Sequence, residues 1–204
     1  NIYDNALIVF VADHGETFTE RVPWFDHGGH ASEEQLHIPL IIKYPKSLNK
    51  MGREDKLVGL KDVLPTTLDV LDIPYSELDG TSLLHDDESG HVELYGESSH
   101  CVIQVFPLCS PLGLLGKSFS LRDDSMSVVL YAQGEEHQFY YYDRQVDTVE
   151  SNPIIGKQEP EKERKLLELL KQRATDSSNF QQELEASSPE TIKVLEELGY
   201  LQRQ

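Results

Sequence analysis

The sequence predicts an α/β chain, a mixed sheet with flanking helices followed by a small antiparallel sheet packed with C-terminal helices. Three observations lead there. Residues 6–12 and 39–44 are short, β-branched, nearly continuous apolar runs bounded by polar turns, the pattern of strands covered on both faces in a parallel or mixed sheet. From residue 91 onward two-sided apolar runs give way to alternation, the mark of an antiparallel sheet with one solvated face. Near the end, leucines recur at helical spacing among alternating charges.

Taken in order, Ile2-Tyr3-Asp4-Asn5 reads as the end of a helix and a turn, and a start at Asn1 rather than Met leads to the expectation of a fragment of a longer protein. The first strand follows. Residues 15–30 are rich in glycine and ionisable groups, too irregular for a helix and suited to a site loop, and residues 32–36 add one helical turn. After the second strand, residues 63–71 form a helix expected to pack on the sheet through Leu64, Leu68 and Leu71, with Asp62 as cap and Pro65 in its first turn. Asp79-Gly80 is a turn, and residues 86–90 are a charged hinge. The hinge divides residues 1–90, the later part of a larger α/β domain, from residues 91–204, a small α+β subdomain. In the latter, residues 92–96, 118–121, 127–132 and 138–142 are strands, with Gly134 in the last turn. Residues 160–174 form a helix with Leu166, Leu167, Leu169 and Leu170 on one side. A last helix spans residues 188–198, with Ser187-Ser188-Pro189-Glu190 as its capping box. There is no internal repeat and no low-complexity tract.

Composition limits the function classes. The 204 residues carry a formal charge of -18, which repels phosphate backbones and anionic lipid, and the 18 basic residues form no patch, so nucleic acid is not an expected partner. No apolar run approaches the ~20 residues of a membrane span. Cys101 and Cys109 could close a small loop or remain thiols, and neither fits a zinc pattern.

The chemistry concentrates at the end of the first strand. Asp13 and His14 leave it together, and the turn that breaks strand alternation can put a carboxylate and an imidazole on one cation. The bland alternative is that Asp13 caps a turn and His14 bonds locally. Against it, four of the eight histidines, His14, His27, His30 and His37, fall between positions 14 and 37. His27 and His30 flank two glycines and could bind an anionic ester or protonate its leaving group, with His27 the better candidate. His37 orients the loop, and His85, His91, His100 and His137 default to structural or surface roles. Glu16, Glu33 and Glu34 are supporting groups or, more commonly for such residues, solvated carboxylates.

The order of segments resembles the later half of the sulfatase family, within the alkaline-phosphatase-like superfamily. The resemblance is carried by Asp4-Asn5-Ala6-Leu7-Ile8-Val9-Phe10-Val11-Ala12-Asp13-His14-Gly15-Glu16, then His27-Gly28, Glu33-Glu34, Ile38-Pro39-Leu40-Ile41-Ile42 and Asp62-Val63-Leu64-Pro65-Thr66. It continues through Leu78-Asp79-Gly80-Thr81-Ser82-Leu83-Leu84, Tyr95-Gly96-Glu97, residues 139–147 and Leu198-Gly199-Tyr200-Leu201. It implies an alkaline-phosphatase-like mixed sheet, Asp13 and His14 in the place of the metal-ligand pair, and His27 close to the family's contact to the ester's anionic group. It also implies a divalent cation, calcium first with Mg, Mn or Zn open, a sulfated small molecule or glycan as substrate, and an exported setting (secreted, periplasmic or lysosomal). The family's formylglycine nucleophile comes from an upstream Cys/Ser-x-Pro-x-Arg motif, and neither Cys101 nor Cys109 has both the Pro and the Arg at that spacing.

The expected function is therefore the C-terminal fragment of a sulfuric ester hydrolase, inactive alone, with the missing N-terminal part of the same protein as its partner. A phosphodiester or phosphonate hydrolase, or a phosphoethanolamine transferase, is the alternative in the same superfamily. A noncatalytic binding module with a degenerate site is the alternative from another class.

Overall fold

The computed structural model describes residues 2–20, 25, 27–85, 90–98, 117–133, 136–185, 188 and 193. A short helix α1 (Ile2–Asn5) leads into β1 (Ile8–Val11), and after the site loop come α2 (Glu33–Leu36) and β2 (Leu40–Lys43). β1 and β2 pair antiparallel, Ile8 opposite Lys43 and Val11 opposite Leu40. Helix α3 (Val63–Val70) follows, and then β3 (Leu94–Ser98), β4 (Lys117–Arg122), β5 (Met126–Gln133) and β6 (Glu136–Asp143) form an antiparallel meander in chain order. The long helix α4 (Pro160–Glu185) crosses that sheet.

The main core lies between the meander and α4. Alternation along β4, β5 and β6 turns Phe119, Leu121, Val128, Leu130, Ala132 and Tyr141 to one face, where Leu166 and Leu170, one helical turn apart, close over them. The predicted leucine side of this helix is the buried one, and the helix runs on to Glu185. Hydrogen bonds from Tyr141 to Glu163 (2.6 Å) and from Lys162 to Asp123 (2.7 Å) fix its first turns.

On the opposite face of the meander, the part formed by β3 and the first half of β4 is made of small residues. Gly96, Ser98, Ser118 and Ser120 alternate with the core side chains, and the segment ending in α2 lies directly on them. A Cβ on Gly96 would come within 2.5 Å of Leu36 Cδ1, so a larger residue there would require the Leu36 side chain to shift. Ala31 N donates to Ser118 Oγ (2.6 Å), and Ser98 Oγ donates to the Gly28 carbonyl. At the centre, Arg122, 5% exposed, donates from Nη1 to Glu33 Oε2 (2.6 Å) and from Nη2 to Glu150 Oε1 (3.3 Å). Glu150 Oε2 accepts Glu33 N (3.0 Å), taking the place of the cap that Ser32 does not provide. A second guanidinium, Arg144, sits 3.8 Å from Glu33 Oε2.

Several expectations are corrected. β1 and β2 are not covered on both faces: Phe10 is 62% and Ile41 61% exposed, because the pair forms a two-stranded ladder whose apolar side chains meet no third layer among the described residues. α3 does not pack through Leu64 and Leu71, which are exposed; it buries Pro65 and Thr66, with Thr66 Oγ1 accepting Leu83 N (2.8 Å). Asp62 precedes α3 but its side chain makes no cap hydrogen bond to that helix. Its fully buried carboxylate instead gathers Gly59 N, Thr81 N and His91 Nε2, each at 2.8 Å, and so holds the chain after α3 against the chain before it. The strand predicted at residues 92–96 begins and ends later, at Leu94–Ser98. The hinge at 86–89, Gly134, His100, both cysteines and nearly all of the last predicted helix lie outside the described residues.

Two predictions follow from these buried charges. Arg122→Met leaves Glu33 and Glu150 without their main counterion and should cost about 3–5 kcal/mol in urea unfolding, with Glu33→Gln in the same chain recovering part of the loss. Burial alone would raise the Asp123 carboxyl, but bonds from Lys162, Ser125 and Met126 outweigh it and hold the group well below the usual carboxylate range. Its stabilising contribution is therefore complete above the unfolded value of about 3.9 and lost as pH falls below it. The stability gap between the parent chain and Asp123→Asn should shrink steadily through that acid range.

Candidate active site

β1 delivers its carboxyl end to an open edge. Asp13, with its side chain 89% exposed, accepts His14 N on Oδ1 (3.1 Å), and its Oδ2 lies 3.8 Å from His14 Nε2. The other ring nitrogen, His14 Nδ1, is 2.8 Å from the Gly15 carbonyl, which can only accept, so Nδ1–H donates to it and, in a neutral ring, Nε2 carries the lone pair. An imidazole anchored through Nδ1–H to a backbone carbonyl is the usual preparation of Nε2 for a metal.

The return of the loop places a second ring on the first. His27 stacks on His14 with centroids 4.3 Å apart and planes inclined by 22°. Its Nδ1 donates to Glu16 Oε2 at 3.3 Å, while Glu16 Oε1 is buried with no hydrogen-bond partner among the described residues. His30 lies elsewhere, its ring edge-on to Tyr131 at 5.8 Å. His37 pairs with Glu33 (2.8 Å), His91 with Asp62, and His85 is 3.8 Å from Asp69. Thus the structure brings Asp13, His14, Glu16 and His27 together. Glu33 is no solvated carboxylate but the buried partner of Arg122.

Local folding explains the geometry. Gly15 N donates to Gln35 O (2.8 Å), and a Cβ on Gly15 would stand 2.1 Å from Glu34 O. The glycine after the Asp-His pair serves this close approach of the loop to α2. Gln35, which the sequence reading passed over, also bonds Gly28 N through Oε1 and Thr17 Oγ1 through Nε2. A cavity of about 500 Å³ beside α2 is lined by Glu20, Glu34, His37, Arg144 and Thr148, but not by Asp13, His14 or His27.

A divalent cation fits the donor set in kind: one hard carboxylate oxygen and one imidazole nitrogen with its lone pair exposed. It fits incompletely in number, since no group of three or more potential ligands converges among the described residues.

The fold is shared with several solved structures. The chain superimposes on a protein solved in complex with its substrate D-glucosamine-2-N,6-O-disulfate with a TM-score of 0.55, at 23% identity, over 86% of this chain and 35% of that one. A 2-O GAG sulfatase gives 0.53 at 20% identity over 87% and 38% of the two chains. A phosphonate monoester hydrolase from Silicibacter pomeroyi gives 0.51 at 23% identity over 87% and 35%. In sequence, the family model described as Sulfatase matches residues 1–73, the stretch that holds the whole candidate site. An N-acetylglucosamine-6-O-sulfatase of Bacteroides thetaiotaomicron is 27% identical over 175 residues, which is 83% of this chain but 30% of that protein. The chain therefore spans about a third of the length of the relatives it matches. No helix among the described residues is long and apolar enough to cross a membrane.

Gly15→Ala tests the close approach. Because the clash is with a backbone carbonyl that cannot rotate away, the variant should lose about 1–3 kcal/mol of stability and its His14–His27 ring contact, read by denaturant unfolding and by nuclear Overhauser effects between the rings.

Proposed function

We propose that the chain is the C-terminal portion of a sulfatase-like hydrolase that cleaves sulfate monoesters of a small molecule or glycan with the help of a divalent cation. Residues 1–90 complete its catalytic α/β domain, and residues 91–204 form the small C-terminal subdomain. The observation that carries the reading is the pairing of Asp13 Oδ2 with His14 Nε2 under the stacked ring of His27, inside the segment that matches the family. The 27%-identical relative, an N-acetylglucosamine-6-O-sulfatase, supports a sulfated sugar as substrate.

In this reading Asp13 and His14 are metal ligands. When bound, the cation neutralises charge on the ester oxygens and favours the attacking nucleophile. His27 is oriented through Nδ1 by Glu16, and in its imidazolium form it would carry a second proton at Nε2 for the departing ester oxygen. Two ligands leave the rest of the coordination shell, and the nucleophile, to residues outside this chain, so it does not turn over substrate alone. The exposed apolar side chains of Phe10, Ile41, Leu64 and Leu71 are suited to cover by that remainder, the N-terminal part of the same protein. Calcium is the first candidate by family resemblance, and the imidazole ligand also admits Mg, Mn or Zn. The fold likeness to a phosphonate monoester hydrolase supports a second reading, hydrolysis of phosphorus esters.

The test uses the longer protein, assayed with aryl sulfate and aryl phosphonate esters side by side. Asp13→Asn should lower both bound metal and hydrolysis, and unchanged values of both overturn the assignment. His27→Ala should slow hydrolysis by about 10²–10⁴-fold, more for poor leaving groups than for good ones. An equal loss across leaving groups excludes proton donation by His27.

A further inference from the structure

Resting on the active-site reading above, we propose that Gln35 is a positioning residue that sets the register of the His14–His27 pair. Gln35 lies in α2 and is 4% exposed. Its carbonyl accepts Gly15 N (2.8 Å), its Oε1 accepts Gly28 N (2.8 Å), and its Nε2 donates to Thr17 Oγ1 (2.7 Å). Each of these partners is the chain neighbour of a site residue: Gly15 of His14, Thr17 of Glu16, and Gly28 of His27. One residue thus grips the outgoing and the returning limb of the loop at the points where the site side chains branch off.

The amide group suits this task for a chemical reason. Gly28 N–H needs an acceptor, and the amide supplies an acceptor and a donor at the two ends of one rigid plane. With Oε1 committed to Gly28, the NH₂ end must face Thr17, whose side chain is fully buried and shielded from competing water. The spacing between the two limbs is then set by the width of an amide. Gln35 is itself held in place, because α2 is seated on the small-residue face of the meander by the Ala31–Ser118 bond and the Glu33–Arg122 pair. The chain of contacts runs from the C-terminal sheet through α2 and Gln35 to the two stacked rings.

Gln35→Met tests this in the 204-residue chain. Methionine keeps length and volume, loses both side-chain bonds, and retains the main-chain carbonyl for Gly15. Amide exchange at Gly28 should accelerate about 10-fold or more, exchange at Gly15, Phe119 and Leu130 should not change, and the Overhauser effects between the His14 and His27 rings should disappear. Gln35→Glu keeps an acceptor for Gly28 N and offers an oxygen to which the Thr17 hydroxyl can donate, so the ring contact should return. Wild-type exchange at Gly28 with an intact ring contact in Gln35→Met overturns the proposal. So does a uniform acceleration at Gly28, Gly15, Phe119 and Leu130 in both variants, which is the signature of a merely structural role. In the longer protein Gln35→Met should lower kcat for an aryl sulfate about 10–100-fold with KM within about threefold, and an unchanged kcat overturns the positioning role. A parent enzyme that hydrolyses no ester defeats the hydrolase reading instead, and the exchange and ring-contact measurements still decide the role of Gln35.

Discussion

The placement of Arg122 between Glu33 and Glu150 is the constraint on which the rest of the arrangement depends. A guanidinium that is 5% exposed and two carboxylates at 8% and 1% cannot be left unmatched in a medium of low dielectric. Such a group adds little net stability over apolar packing, but it tolerates only one arrangement of its partners. Glu33 opens α2, Arg122 ends β4, and Glu150 follows β6, so satisfying the charges fixes a helical turn of the first part of the chain against the meander. The hydrogen bond from Glu33 N to Glu150 adds direction to the same contact. Serines and a glycine on that face of the sheet then let the backbone of residues 28–36 settle without intervening side chains.

The candidate site inherits its geometry from this junction. β1 supplies Asp13 and His14, but β1 and β2 make a four-residue, two-stranded ladder with exposed faces, an element of marginal stability by itself. The firmer reference is α2. From it, backbone and side-chain bonds reach to Gly15, Thr17 and Gly28, and the ring of His27 comes down on that of His14. A sheet that carries none of the site side chains thus governs their spacing.

What was legible in the sequence follows the range of the interactions. The meander and α4 are visible because strand alternation and leucine spacing are local patterns, and the clustering of His14 and His27 near Asp13 is visible because the loop is short. Glu33 was misjudged because its burial depends on an arginine 89 positions away. Asp62 looked like a helix cap by position, yet its acceptors are filled from Thr81 and from His91, 29 residues downstream. Gln35 gave no signal at all, since a glutamine in a short helix has the composition of a solvated surface. The exposure of Phe10 and Ile41 is a different kind of difference: a continuous β-branched apolar run reads as a two-sided buried strand, whereas these side chains are largely exposed on a two-stranded ladder.

That last point bears on how a site can be half present. An Asp-His pair anchored at Gly15 O and a second histidine oriented by Glu16 are arranged by contacts within the loop itself. Preorganisation of this sort lowers the entropic cost of engaging any ligand there, because the limbs of the loop need not be ordered on binding. The exposed Phe10 and Ile41 are cross-strand neighbours in the β1–β2 ladder, which ends at Val11, two residues before Asp13. The α4-covered core of the meander draws on none of these residues, so its apolar burial is separate from the ladder that carries the site.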